Sequence, residues 1–479
     1  MTTAERTSAP AKAEEGNSFN YLIGLSLGPL LALALWFLPL SANPLANHAL
    51  AITAFMVGYW IFEPIDHGIT ALIGCYLFWA LGVANFETAF AGFANSTPWF
   101  LFGAMLMGEA ALRSGLAQRI GRIVIGLAGS SYAMLLFSAI VLVVVLNLLV
   151  PSGMAELAIL APIFMGVVAA FGVDKKSNIG RGLFVIITYG CGLFNKMILS
   201  GASSILTRGL LEKVSGESIS WSQYFIAFLP ATILTVIASW AVIRWLYPPE
   251  KTHLPHARKL SERAAIQAPW SAVEKRTLAL LLIAVVLWAT DSIHDIDPAM
   301  IALGVGLACV LPRVGVLTTK DVRATNFLLI VFLGGALSMG EVLIRTSALN
   351  MLTGTMMSWM TPLMGGAYES PSVLYWAGFL YHFVLGSELS MLSTSLPVML
   401  SYAQSHALNP TAVAMVWAFS AGGKLFMYQS SVLIQGYAYG YFDSRDMFKV
   451  GLVLSIIEGI ILFLLVPLYW PLIGLNWTH

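Results

Sequence analysis

The sequence predicts an all-α polytopic membrane protein built from two inverted repeats, each with a re-entrant hairpin and a discontinuous helix. Three observations predict it. Of 479 residues, 58% are hydrophobic and only 10% are charged, whereas soluble domains carry about a quarter charged residues. Apolar runs of about 15 to 25 residues, each able to cross a hydrocarbon core of about 30 Å, follow one another along the chain. Two runs, one in each half, are interrupted at mid-length by glycines and a lysine. A lysine at the bilayer centre costs about 3 kcal/mol on insertion scales. Broken backbone at that depth is tolerated only against protein or a water-filled cavity, and paired interrupted helices point to a transporter's binding site.

Residues 1–17 are polar and lack the basic start and short apolar core of a removed signal, so 18–40 is read as a first span. Spanning segments follow near 20–40, 49–63, 68–84, 98–113, 183–211, 222–247, 276–291, 297–311, 326–345, 411–440 and 448–470. The apolar stretches 132–170 and 372–402 have polar, Pro- or Gly-marked midpoints. Each is either two crossings or a hairpin that returns to its own side. Hairpins are the expected reading, and the distribution of basic residues fits them. With the N-terminus inside, the inner loops collect Arg113, Arg119, Arg122, Lys175, Lys176, Arg181, the basic residues of the 244–276 linker, Arg313, Lys320, Arg323, Arg445 and Lys449. Only Arg208, Lys213 and Arg345 fall outside, as the positive-inside rule requires. The resulting division is a polar tail 1–17, scaffold helices with an interfacial arm 18–130, and a first transport region 131–247. A cytoplasmic linker 248–275, scaffold helices 276–370 and a second transport region 371–479 complete it. The expected location is the cell membrane, of bacterial inner-membrane type, with a cytoplasmic N-terminus.

Composition also excludes. A net charge of +1 offers nothing to nucleic acid. Cys75, Cys191 and Cys309 lie in apolar segments without metal-ligand spacing, and His67, His294 and His382 are isolated, so no metal and no cofactor is expected. There is no HExxH, nucleophile elbow or His/Cys/carboxylate cluster on one segment, which argues against an integral-membrane enzyme. A channel is disfavoured because opposed hairpins with interrupted helices suit alternating access.

The halves repeat. Glu109-Ala-Ala-Leu-Arg113 matches Glu341-Val-Leu-Ile-Arg345, each after Met-Gly, and each pair is spaced to meet on one helix face. Ser152 to Pro162 matches Ser387 to Pro397. The first interruption reads Tyr189-Gly-Cys-Gly-Leu-Phe-Asn-Lys-Met-Ile-Leu-Ser-Gly-Ala-Ser-Ser-Ile205. The second reads Phe419-Ser-Ala-Gly-Gly-Lys-Leu-Phe-Met-Tyr-Gln-Ser-Ser-Val432. Glu63 and Asp66 and, in the second half, Asp295 and Asp297 are read as loop or interface residues.

The order of these landmarks resembles the divalent anion:sodium symporter family, from about residue 50 to 470. Leu311-Pro-Arg-Val-Gly-Val-Leu-Thr-Thr-Lys-Asp321 and Ser114-Gly-Leu-Ala-Gln-Arg-Ile120 are similar to that family's inter-helix loop and first interfacial arm. The resemblance implies a scaffold, an elevator-type mobile region with opposed hairpins, and a homodimer. Family members carry Ser-Asn-Thr at each hairpin tip. Here Ser152 is followed by Gly153-Met154 and Ser387 by Glu388-Leu389, so the positions that build the family's sodium sites and carboxylate contacts are replaced.

The candidate anion site therefore comprises Ser152, Gly153, Asn195, Lys196, Ser203, Ser204, Ser387, Glu388, Lys424, Ser430 and Ser431. Fixed ammonium groups of Lys196 and Lys424 would supply the charge a bound cation otherwise brings, with hydroxyls and half-helix N-termini on the oxyanion. The alternative is internal pairing of these lysines with Glu156 and Glu388. Both glutamates are also candidates for proton coupling. The expected function is a sodium-independent carrier of a small anion, an exchanger or a proton-coupled transporter, with a proton or counter-anion as the partner ion. Sodium-coupled dicarboxylate symport and cation/proton antiport are the alternatives within this class.

Overall fold

A computed structural model describes residues 18–38, 43–149, 152–253, 269–366, 368–385 and 387–478. The tail 1–17 and the middle of the linker, 254–268, lie outside the described residues. The described chain is nearly all helix, as the apolar runs require when backbone groups cannot turn to water for partners. Among the described residues, six helices are long and apolar enough to cross a membrane, or seven if one bent pair is a single span. That pair is Ser96–Arg113 followed by the 116–124 stretch, which departs at 68° where Gly115 takes a left-handed φ of 79°. The bend starts the arm expected at Ser114.

The early helices pack through small residues. Helix Ser96–Arg113 crosses helix Pro298–Ala308 where a Cβ on Gly306 would lie 2.6 Å from the Gly103 carbonyl oxygen. The two backbones touch there, the close approach that small residues permit between membrane helices. Helix His67–Ala80 packs along helix Phe327–Arg345. The two expected i,i+4 pairs form, Glu109–Arg113 at 2.6 Å and Glu341–Arg345 at 2.8 Å.

Helices Tyr132–Leu149 and Gly153–Phe171 form the first hairpin, and Glu369–Tyr381 and Glu388–Ser405 the second. One short stretch ties both ends of the first hairpin. The Tyr132 amide donates to the Thr252 carbonyl at 2.9 Å, and Lys251 Nζ donates to the Phe171 carbonyl at 2.7 Å. Entry and exit thus lie together, as a returning hairpin requires. Helices Trp221–Leu246 and Ser444–Leu468 pack on each other beside the hairpins.

Candidate functional site

The site is made where two helices fail. Helix Asn178–Leu193 tightens into the 3₁₀ turn Phe194–Met197, extends at Ile198 and restarts as Ala202–Ser215. A Cβ on Gly201 would lie 2.3 Å from the Asn195 carbonyl oxygen, so the chain folds onto itself and only glycine fits. Helix Pro410–Ser420 likewise ends before Gly422-Gly423, passes through the 3₁₀ turn Met427–Gln429 and restarts as Ser431–Ala438. The freed backbone groups are satisfied internally, as an apolar surrounding demands. The Tyr224 hydroxyl donates to the Lys196 carbonyl at 2.6 Å and the Ser204 hydroxyl to the Asn195 carbonyl at 3.1 Å. Gln429 Oε1 accepts from the amides of Leu425 at 2.7 Å and Phe426 at 2.8 Å.

The two lysines reach past glycines of the opposite break. A Cβ on Gly422 would lie 2.1 Å from Lys196 Cδ, and one on Gly192 would lie 3.4 Å from Lys424 Nζ. Lys196 Nζ donates to Glu458 Oε2 at 2.9 Å and to the Phe419 carbonyl at 3.0 Å, and sits 3.9 Å from the Phe419 ring centroid. Both Lys196 and Glu458 are fully buried. Lys424 Nζ donates to Glu388 Oε2 at 3.1 Å. The internal-pairing alternative thus describes Lys424 and Glu388. For Lys196 the partner differs, because Glu156 is turned to Asn147, whose Nδ2 donates to it at 2.9 Å.

A cavity of about 510 Å³ lies between these pieces. Most expected site residues line it: Ser152 and Gly153 at the first hairpin tip, Ser387 and Glu388 at the second, and Asn195 and Ser203 at the first break. Lys424, Ser430 and Ser431 enter from the second break. Lys196, Ser204 and Glu156 stand behind the wall, each wholly buried and none of them on the lining. Four helices begin at this cavity, with Gly153, Ala202, Glu388 and Ser431 as their first residues. A helix N-terminus presents unpaired amides and about half a positive charge, so four aimed at one space favour an anion there.

Sequence reasoning missed two contributors. Glu458 is a lone carboxylate within the apolar run 450–469, and an ionisable residue in mid-span was the available signal. Glu63 and Asp66, read as loop or interface residues, and His67, read as isolated, line the same cavity. Among the described residues, no group of three or more His, Cys, Asp or Glu side chains is placed to hold a metal ion.

Comparison with known proteins agrees with the arrangement. A protein of Cupriavidus necator described as a membrane protein is 28% identical over 89% of this chain and 87% of its own. The citrate/succinate antiporter of Escherichia coli K12 is 26% identical over 94% of this chain and 97% of its own. The crystal structure of the Alcanivorax borkumensis YdaH transporter, at 15% identity, shares the fold with a TM-score of 0.57 over 81% of this chain and 87% of that one. The family described as "Sodium:sulfate symporter transmembrane region" matches residues 21–476. With its apolar spanning helices, hairpins and broken helices, the chain belongs to this divalent anion:sodium symporter family of multi-pass membrane transporters.

Proposed function

We propose that this protein is a secondary transporter of a small di- or tricarboxylate, or a related oxyanion or sulfonate, bound in the cavity between the hairpin tips. The convergence of four helix N-termini with one lysine, Lys424, on a single cavity carries this reading. The cavity volume is of the order that holds a small molecule, and the Escherichia coli relative is named for citrate and succinate.

Lys424 is the anchoring cation, paired with Glu388 until an anion competes for it. Lys196 ties the two breaks together from behind the wall, through its bonds to Glu458 and to the Phe419 carbonyl. With the Lys424 ammonium built into the site, transport proceeds without sodium, by exchange or with a proton. The hairpins, the broken helices and the helices beside them form the moving region, and the helices of 18–130 and 276–370 form the scaffold. The N-terminus and the linker face the cytoplasm of a cell whose membrane holds the protein. Glu63, Asp66 and Glu388 also line the cavity, and this carboxylate surplus over Lys424 supports a second reading in which a cation accompanies the anion.

Uptake of labelled citrate, succinate and sulfate into proteoliposomes separates these readings. It is measured with a sodium gradient, with a proton gradient, and with internal substrate alone. Uptake driven by internal substrate or protons, indifferent to sodium and lost in Lys424→Ala, is the expected result. Uptake that requires sodium and survives Lys424→Ala overturns it.

A further inference from the structure

The two broken helices are not treated alike by the scaffold. Their second arms correspond residue for residue: Ser203-Ser204 with Ser430-Ser431, Arg208 with Gln435, and Gly209 with Gly436. Arm Ala202–Ser215 packs on Glu388–Ser405 and Pro410–Ser420 of the moving region and also on scaffold helices Ser96–Arg113 and Phe327–Arg345, with residues 203–211 buried. A Cβ on Gly209 would lie 2.2 Å from Thr97 Oγ1 of the scaffold. Arm Ser431–Ala438 packs chiefly on the corresponding moving-region helices, Asn178–Leu193 and Gly153–Phe171. There a Cβ on Gly436 would lie 2.2 Å from Thr188. The cavity opens between this second arm, where Ser431 and Ile434 line it, and the scaffold turn bearing Glu63, Asp66 and His67.

Two ion pairs fasten the docked arm. Arg208, 5% exposed, donates to Asp297 Oδ2 at 2.9 Å, and Lys213 Nζ lies 2.9 Å from Glu341 Oε2. Asp297 sits in the same kind of turn as Asp66. Each caps a scaffold helix by accepting the amide two residues on, Gly68 for Asp66 and Ala299 for Asp297, both at 2.7 Å. Each follows a residue held at positive φ, Glu63 at 49° and Asp295 at 52°. The undocked arm has Gln435 where the docked one has Arg208, and Gly440 where it has Lys213.

We infer that Arg208–Asp297 and Lys213–Glu341 form a latch that closes one mouth of the transporter, and that Gln435 and Asp66 form its weaker counterpart at the other mouth. The inference rests on alternating access as proposed above. When the moving region shifts, arm Ser431–Ala438 closes on the Asp66 turn, the Gln435 amide donates to the Asp66 carboxylate, and the Arg208 and Lys213 pairs part. Because one latch is ionic and the other an amide–carboxylate hydrogen bond, the resting carrier favours the conformation described here. Both latches have an ionised acceptor, but only Arg208 adds an opposite full charge on the donor, and Lys213–Glu341 has no counterpart, so the asymmetry sets which side the empty site faces.

The test is side-specific labelling of an Ile434→Cys reporter, in a background with the three native cysteines replaced, by an impermeant maleimide in sealed, oriented vesicles. It needs no substrate, so its outcome is independent of which anion is carried. The parent labels fastest from the face bearing residues 63–67. Arg208→Gln and Gln435→Arg each lower the ratio of this conformation to the opposite one by about tenfold, the shift that a change of about 1.4 kcal/mol produces, and the labelling rate falls with the population. Should Arg208→Gln not fold, Gln435→Arg decides alone. An unchanged labelling rate in folded Gln435→Arg overturns the inference, as does a rate that rises.

Discussion

At the scale of single residues, the two intramembrane lysines have different duties. Lys424 lines the cavity, and its removal takes away the charge that would meet the anion. Lys424→Met is expected to raise the half-saturating anion concentration by about a hundredfold, the equivalent of about 3 kcal/mol for a charge-assisted contact, measured as concentration-dependent uptake. Lys196 and Glu458 are both fully buried at 2.9 Å. Removing one partner of such a pair strands the other charge, at about 3–5 kcal/mol, whereas replacing both with apolar residues is often neutral. Lys196→Met and Glu458→Leu alone should each lower the thermal midpoint in detergent, and the double variant should recover most of the loss. Additive losses in the double variant would refute the pairing. In the first turn of helix Ala272–Ala289, Glu274 is gripped by Arg119 with two bonds, 2.6 and 2.9 Å long. The guanidinium, helped by the Ser271 amide, holds the Glu274 carboxyl down at about 2, below its ordinary 4.5. A depressed carboxyl contributes stability that is complete above its unfolded value and is lost as pH falls towards the folded one. The stability difference between the parent protein and Glu274→Gln should therefore be constant above about pH 5 and shrink as pH falls from 4.5 towards 2.

At the scale of elements, the breaks depend on glycines chosen for what passes over them. Gly422→Ala would place a Cβ 2.1 Å from Lys196 Cδ, so the lysine stem must leave its path and the Glu458 pair opens. Loss of transport together with a lower thermal midpoint is the expected result. Gly304, in helix Pro298–Ala308, has nothing within 4 Å of its added Cβ. Gly304→Ala should be silent in transport and slightly stabilising, by up to about 1 kcal/mol from helix propensity. If both variants behave alike, close packing is not what the first glycine serves.

At the scale of the molecule, the first hairpin is held at both ends by residues 251–252. Cysteines placed at Ser130, Lys175 and His253 should therefore label from one face of the membrane, and one at Glu217 from the other. Labelling of Ser130 and Lys175 from opposite faces would make the stretch a single crossing and invert the orientation of everything after it.

The sequence by itself determined the class, the order of elements and the places where helices break. Apolar run length, charge bias and glycine beside lysine are local quantities that a bilayer reads directly, and the hairpins, breaks and i,i+4 pairs appear where those quantities put them. It also placed nine of the expected site residues on one cavity wall, from Ser152 to Ser431. Only the tertiary structure decided which charge meets which. Glu156 stands beside the first hairpin tip and is turned to Asn147, while Lys196 crosses 262 positions to Glu458. Pairing in an apolar interior is settled by which stems can pass, here over Gly192 and Gly422, and by which carboxylate an arriving ammonium can reach without water. Those are properties of helices packed together, which no stretch of the chain carries alone.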